Sequence, residues 1–266
     1  MNKHLLRMNF KMNKGVWIIF LAVMTMYYTM IIGIYDPNNA DVFAGMLDMF
    51  PRELMDALHF SLTDYSLVGF ISGYLFGFIM IIFPMIYIII VGNRLVASFV
   101  DSGSMSYLLA SPNTRKKIAI TQAVYLFLST TLLIIVVDMI GFILASTLFP
   151  GLLELKKFIY INLGLIGYSF LITSITFAAS AIFNETKYSL SFGAGIPIAF
   201  FIINMLAGAS DKLSFFRYAT ALSMYNANDW LEGSTLIWIY FSIFILSGFC
   251  LYLIGIRIFM KKDLPL

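Results

Sequence analysis

The chain has 266 residues, 61% of them hydrophobic and only 12% charged, with a mean hydropathy of +0.90. That balance excludes an ordinary soluble domain, and a formal net charge of +3 gives no reason to expect a nucleic-acid partner. The single cysteine, Cys250, lies inside an apolar stretch and excludes an internal disulfide.

Six apolar stretches dominate the sequence, at about 15–35, 66–91, 118–148, 158–182, 188–206 and 235–256. An α-helix rises about 1.5 Å per residue and the hydrocarbon core is about 30 Å thick, so roughly 20 residues suffice to cross it. The expectation is an all-α membrane protein of six transmembrane helices, forming one transmembrane domain over 1–266. The first stretch is longer than a signal-peptide core and is expected to be retained as a span.

Before the first span, Lys3, Arg7, Lys11 and Lys14 recur at helical spacing, as do Met1, Leu5, Met8 and Met12. Two such stripes describe a helix lying in the membrane interface, its basic face toward lipid head groups. An ordinary basic flank with incidental periodicity is the alternative. After the first span, Asp36–Tyr65 holds six acids, Asp36, Asp41, Asp48, Glu53, Asp56 and Asp64, against Arg52, with a helix start at Pro51 and Leu54 and Leu58 on one face. Such a loop either holds a cationic ligand or is simply solvated.

In the second span Phe70, Tyr74 and Phe78 recur at i, i+4 and i+8 and share a face. By spacing alone they pack within the bundle or face lipid. The third stretch contains Asp138, the one charged residue in any of the six. A carboxylate in a span costs roughly 2.5–3.5 kcal/mol on insertion scales and should face protein or water. Two readings stay open: a structural hydrogen bond to Asn162 or a Ser/Thr of another span, or contact with substrate or ion. Pro84 and Pro197 sit inside spans and predict kinks. Phe215, Phe216, Tyr218, Leu222, Met224, Tyr225 and Trp230, in the segment before the last span, are too apolar to stand in water. They predict short helices dipping into the membrane.

The basic residues set the orientation. With the N-terminus cytoplasmic, that side holds Lys3, Arg7, Lys11, Lys14, Arg94, Arg115, Lys116, Lys117, Lys187, Arg257, Lys261 and Lys262. The other side holds only Arg52, Lys156, Lys157, Lys212 and Arg217. Both termini are therefore expected in the cytoplasm.

The usual catalytic signatures are missing from the sequence. It has no Gly-x-x-x-x-Gly-Lys-Ser/Thr phosphate loop, no His-Glu-x-x-His zinc site and no Cys/His cluster, and its two histidines, His4 and His59, lie outside the spans. An enzyme of a common hydrolytic type is not expected, nor a metal or cofactor bound by this chain.

The cytoplasmic loop 92–117 is more specific. Gly103 breaks the chain after Asp101, Met105, Leu108 and Leu109 give a short apolar helical face, Pro112 stops it, and Arg115-Lys116-Lys117 anchor the next span. Physically this is an amphipathic helix held across the cytoplasmic face, either a simple connection or a docking element. The pattern Asp101, Gly103-Ser104, Leu108-Leu109, Pro112 and Arg115 resembles the first cytoplasmic loop of type-2 ABC exporter permeases, in which an acid, Gly-Thr or Gly-Ser and Leu-Leu-x-x-Pro-x-x-Arg recur. The segments Phe216–Tyr218 to Ser223–Ala227 and Phe259–Leu264 are similar to that family's last external loop and C-terminal tail. Asp101 stands where the family more often has Glu.

The resemblance implies a permease that works as a pair with a second permease copy. Each would dock a cytoplasmic ABC ATP-binding subunit through a coupling helix, here Asp101, Gly103, Met105, Tyr107, Leu108, Leu109, Pro112 and Arg115. Met105, Leu108 and Leu109 would enter the ATPase, with Tyr107 and Asp101 at the rim. ATP and Mg would reside on that partner. The second and fifth spans would line the path, making Phe70, Tyr74 and Phe78, with Asp138, the path candidates. The small body resembles exporters of phenol-soluble modulins, antimicrobial peptides and drugs in the bacterial cell membrane. A secondary transporter, or a non-transporting immunity or assembly factor, is the rival reading. An adjacent gene for a Walker-type ATPase separates them.

Overall fold

The computed structural model describes residues 1–37, 66–110, 114–209 and 211–263. Among these the chain is helical throughout, with no strand. The expected helix at Pro51, with Leu54 and Leu58, most of the acidic loop and Pro112 lie outside the described residues.

The first helix, α1 (Lys3–Ile34), is continuous. The segment expected to lie in the interface therefore forms the opening turns of the first span. Gly15 does not interrupt it, because a lone glycine weakens a helix by only about 1 kcal/mol and the apolar run on either side continues the winding. The second span combines α2 (Leu67–Ile71), a π-helical segment (Ser72–Ile79), α3 (Met80–Leu95) and α4 (Ala97–Asp101). It carries Pro84 within α3 and a break at Val96, where φ is −129° and ψ −60°. A short helix, α5 (Met105–Ala110), leads to α6 (Arg115–Leu148) and α7 (Leu155–Ile182). The fifth span is split into α8 (Thr186–Gly193) and α9 (Gly195–Ala209). Two 3₁₀ turns (Asp211–Ala219 and Ala221–Met224) and α10 (Ala227–Glu232) precede the last span, α11 (Thr235–Lys261). Six of these units are long and apolar enough to cross a membrane.

The split in the fifth span has a local cause. Pro197 has no N–H to offer the carbonyl four residues back, Gly193, and its ring clashes there. That carbonyl is satisfied from outside the helix, by Thr176 Oγ1 of α7 at 3.0 Å. Pro197 thus opens the first turn of a new helix.

The fourth span is the centre of the bundle: 78% of its apolar window is buried, against 17% for α1 and 22% for α11. Glycines let its neighbours come close. Phe170 and Phe177 of α7, seven residues apart, press on Gly248 and Gly255 of α11, also seven apart; a Cβ at Gly248 would lie 2.7 Å from the Phe170 ring. Knobs and gaps at the same period fix the register of this pair. Without a hydrophobic drive between helices in lipid, close packing of this kind holds spans together. The outward faces carry Ile18, Ile19 and Met26 on α1, and Ile239, Leu246 and Phe249 on α11, all exposed. Such residues suit lipid.

Several helix ends meet on one side of the bundle. The Asn2 backbone N–H donates to Thr121 Oγ1 (2.9 Å), and Asn9 Nδ2 to Gln122 Oε1 (2.5 Å), tying α1 to the beginning of α6. Arg115 Nη1 donates to the Lys262 carbonyl (2.7 Å), and Lys262 Nζ to the Ala181 carbonyl (3.2 Å). The start of α6, the end of α7 and the end of α11 are thereby cross-tied, with α5 on the same side.

Burial pushes the Lys262 amine down to about 8 from the usual 10.5. Between those values the unfolded chain keeps a proton that the folded chain has lost, so stability rises with pH through that window; below about 8 both forms hold it and nothing changes. Thermal unfolding in detergent should shift upward from neutral pH to about pH 9.5 in the wild type, and this rise should shrink in Lys262→Met. An equal rise in both would remove Lys262 as its source.

Candidate functional site

The loop after the second span is built around a reversal. Asp101 ends α4, and Gly103 follows with φ of +71°, a left-handed conformation that glycine adopts without cost. The Gly103 N–H donates to the Val100 carbonyl (3.0 Å), and Ser106 donates from Oγ to the Gly103 carbonyl (2.7 Å), closing the turn that launches α5. Two residues apart on a short helix, Met105 and Tyr107 point to opposite sides. Met105 is 1% exposed and belongs to the protein's own core, with Leu108 and Leu109 packed against that core, whereas Tyr107 is 82% exposed.

This corrects the expected orientation. The apolar side with Met105, Leu108 and Leu109 seats α5 on the permease, and Tyr107 is the large side chain offered outward. The reason is competition: a three-residue apolar face serves either surface, and the span ends beneath it take it first. Asp101 also turns inward along the surface. Its Oδ2 accepts from the Thr186 backbone N–H at 3.3 Å, at the first residue of α8, where free N–H groups and the helix dipole favour an anion. The Ala97 N–H adds a second tie by donating to Ser180 Oγ of α7 (2.9 Å). The loop after the second span is thus joined directly to the fifth span. Arg115, expected at lipid head groups, instead spends a guanidinium donor on the end of α11.

The path candidates separate into two groups. Phe70 and Tyr74 are buried and touch each other, ring centroids 4.6 Å apart, with Tyr35 at 5.3 Å from Phe70. Phe78, half-buried, turns to Phe201 of α9 at 5.7 Å and lines a cleft with Gly77, Asn204, Tyr225 and Asn228. The intervening backbone is π-helical, so an α-helical spacing rule does not apply across it. Phe78 and Phe201 therefore join the second span to the fifth. Phe201 and Asn204 escaped sequence reasoning; the pairing of second and fifth spans was the available signal.

Asp138 is buried, at 7% exposure, and its Oδ1 has no hydrogen-bond partner among the described residues. Asn162 lies nearby but gives its Nδ2 to the Phe158 carbonyl of its own helix (2.9 Å), and its Oδ1 is likewise unpartnered. No bond joins the two, nor Asp138 to a serine or threonine of another span, so the expected structural hydrogen bond is not made. Both side chains line a groove of ≈ 490 Å³ between α6 and α7, otherwise walled by Ile135, Phe142, Phe158 and Leu163. A carboxylate whose Oδ1 is left without a hydrogen bond contributes little to holding the fold together. Asp138→Leu should leave the melting temperature unchanged or raise it, since replacing an unpaired buried polar group removes a penalty. A fall of several degrees in the purified protein would restore the structural role.

Around α5 and Asp138, as across the described residues generally, no cluster of three or more His, Cys, Asp or Glu is placed to hold a metal. The last loop is partly as expected: Leu222, Tyr225 and Trp230 are buried, while Phe215 and Tyr218 are exposed at 59% and 94%. It forms 3₁₀ turns and one short helix.

No curated protein matches the chain. The arrangement of six membrane-length helices, with a short surface helix after the second, agrees with what a family comparison finds over nearly the whole sequence. Residues 9–264 match the model for ABC-2 family transporter proteins, and the chain belongs to that family as a multi-pass permease subunit of an ABC transporter.

Proposed function

We propose that this permease works as one of a pair in an ATP-driven exporter of the bacterial cytoplasmic membrane, moving a hydrophobic or amphipathic cargo such as a peptide toxin, antimicrobial peptide or drug outward. Each copy docks a separate ABC ATP-binding subunit, which carries ATP and Mg, at α5. The observation that best supports this reading is the double attachment of the docking loop: Tyr107 faces outward, while Asp101 holds the N-terminus of α8. A push on α5 reaches the fifth span through that carboxylate, and Phe201 of the same span meets Phe78 of the second. The cargo would pass along these two spans, between the paired permeases.

The basic residues favour a cytoplasmic face for both termini and α5. Cys250 is the one native thiol and is exposed. In a Cys250→Ser background, single cysteines at Ser111 or Thr186 should resist a membrane-impermeant thiol reagent in intact cells, and those at Asn39, Gly151 or Asn228 should react. Labelling of Thr186 from outside would invert the orientation and with it the direction of transport. Export itself is tested by reconstituting the permease with its ATPase in vesicles and following ATP-dependent cargo movement. Cargo movement without ATPase would favour a secondary transporter.

A further inference from the structure

A groove of ≈ 500 Å³ runs between α1 and α6 on the side of the bundle that carries α5. Its rim is basic. Arg7, Lys11 and Lys14 stand at i, i+4 and i+7 on α1, all exposed, all lining the groove, and none paired with a carboxylate among the described residues. The stripe from Arg7 to Lys14 is about 10 Å long. Below the rim the lining is aromatic and then aliphatic: Phe10 meets Tyr125 edge-on at 4.9 Å, Trp17 follows, and Leu132 closes the inner end. No acid contributes.

The walls are held by polar bonds behind the groove. Asn9 and Asn13, on the opposite side of α1 from the cations, are buried; Asn9 donates to Gln122, and Trp17 Nε1 donates to the Ser129 carbonyl at 3.1 Å. Neither helix has to move for the groove to accept a ligand. Cations at one end, an aromatic belt between and a dry wall at the other match, group for group, a phosphate-bearing head, a glycerol region and an acyl chain.

We propose that the α1–α6 groove is a binding site for one anionic phospholipid of the leaflet on the α5 side. The head-group phosphate sits among Arg7, Lys11 and Lys14, and one acyl chain lies along Trp17 and Leu132. The site is independent of ATPase docking and of the cargo, so it stands or falls without the exporter reading.

The test uses the full-length permease purified in detergent, with bound lipid counted by native mass spectrometry. Phosphatidylglycerol is the probe, phosphatidylcholine the zwitterionic comparison and glycerol 3-phosphate the head group without chains. The wild type should retain one phosphatidylglycerol in preference to phosphatidylcholine. Each basic residue near an anionic surface is worth roughly a fivefold factor, so Arg7→Gln/Lys11→Gln/Lys14→Gln should lose about a hundredfold in that preference. A second triple, Lys116→Gln/Lys117→Gln/Lys261→Gln, removes the same charge from exposed positions on the same side and should keep it. Leu132→Trp, which fills the inner end and leaves all charges, should weaken retention of the lipid as well. Glycerol 3-phosphate should not displace it. Equal retention of both lipids, equal loss in the two triples, full retention in Leu132→Trp, or displacement by glycerol 3-phosphate would each overturn the assignment. Unchanged melting of the variants shows that any loss is of the ligand and not of the fold.

Discussion

Tyr107→Asp is expected to abolish recruitment of the ATP-binding subunit while leaving the permease folded. The side chain is 82% exposed and makes the outer face of α5, whose other face is buried in the protein itself. A large aromatic at the middle of a docking surface costs 2 kcal/mol or more when removed, about thirtyfold in affinity, and a charge in its place adds desolvation. Leu108→Asp with Leu109→Asp would also release the partner, but through a different route. Those side chains lie partly buried against the permease core, so their loss unseats the helix and lowers stability as well. Co-purification with the ATPase, melting temperature and ATP hydrolysis by the assembled pair tell the two apart. A Tyr107→Asp protein that recruits its partner normally would show that α5 is not the docking helix.

The second large effect concerns the far side of the bundle. Trp230 of α10 is 1% exposed, with its Nε1 on the Met224 carbonyl at 3.0 Å. Its ring rests on Gly164 of α7, where a Cβ would come within 2.5 Å of the indole. A side chain there has nowhere to go but through the ring. Gly164→Leu should therefore expel Trp230 and lose about 3–5 kcal/mol, the usual cost of removing a buried aromatic, seen as a fall in melting temperature of the purified protein. In a Trp230→Ala background the same substitution should be nearly neutral, because the clash has gone. Additive losses would mean that Gly164 fails for some other reason, such as the meeting with α6.

The spans were legible because bilayer crossing needs only length and hydropathy, and these are local properties. Their ends were harder to place. Lys3, Asp101, Arg115 and Lys261 mark helices that outrun their apolar stretches, all on the side of α5, since nothing in hydropathy stops a polar helix from continuing into water. The break before Gly195 had a signal, Pro197 four residues after Gly193, but its tolerance depends on Thr176 in a distant helix. The motif of the loop after the second span was visible, and its facing was not, since Met105, Leu108 and Leu109 suit the permease as well as a partner. Asp138 stood out in the sequence by insertion cost alone. That its Oδ1 would meet no hydrogen-bond partner depends on how α6 and α7 pack, and no pattern in the third span carries it.

One feature of the second span bears on how such a bundle moves. Over Ser72–Ile79 the backbone is wound with i→i+5 bonds, one residue more per ring than the flanking α2 and α3. Rewinding the segment to i→i+4 bonding takes up one residue, which on an α-helix subtends about 100°. The chain on one side of it would then revolve against the other about a common axis, with no bend and no hydrogen bond left over at the end. Phe70 and Tyr74 lie at or before the middle of the coil and Phe78 near its end, so their relative azimuth is set by the winding itself. A single-residue deletion between Gly73 and Gly77 would lock one of the two azimuths permanently.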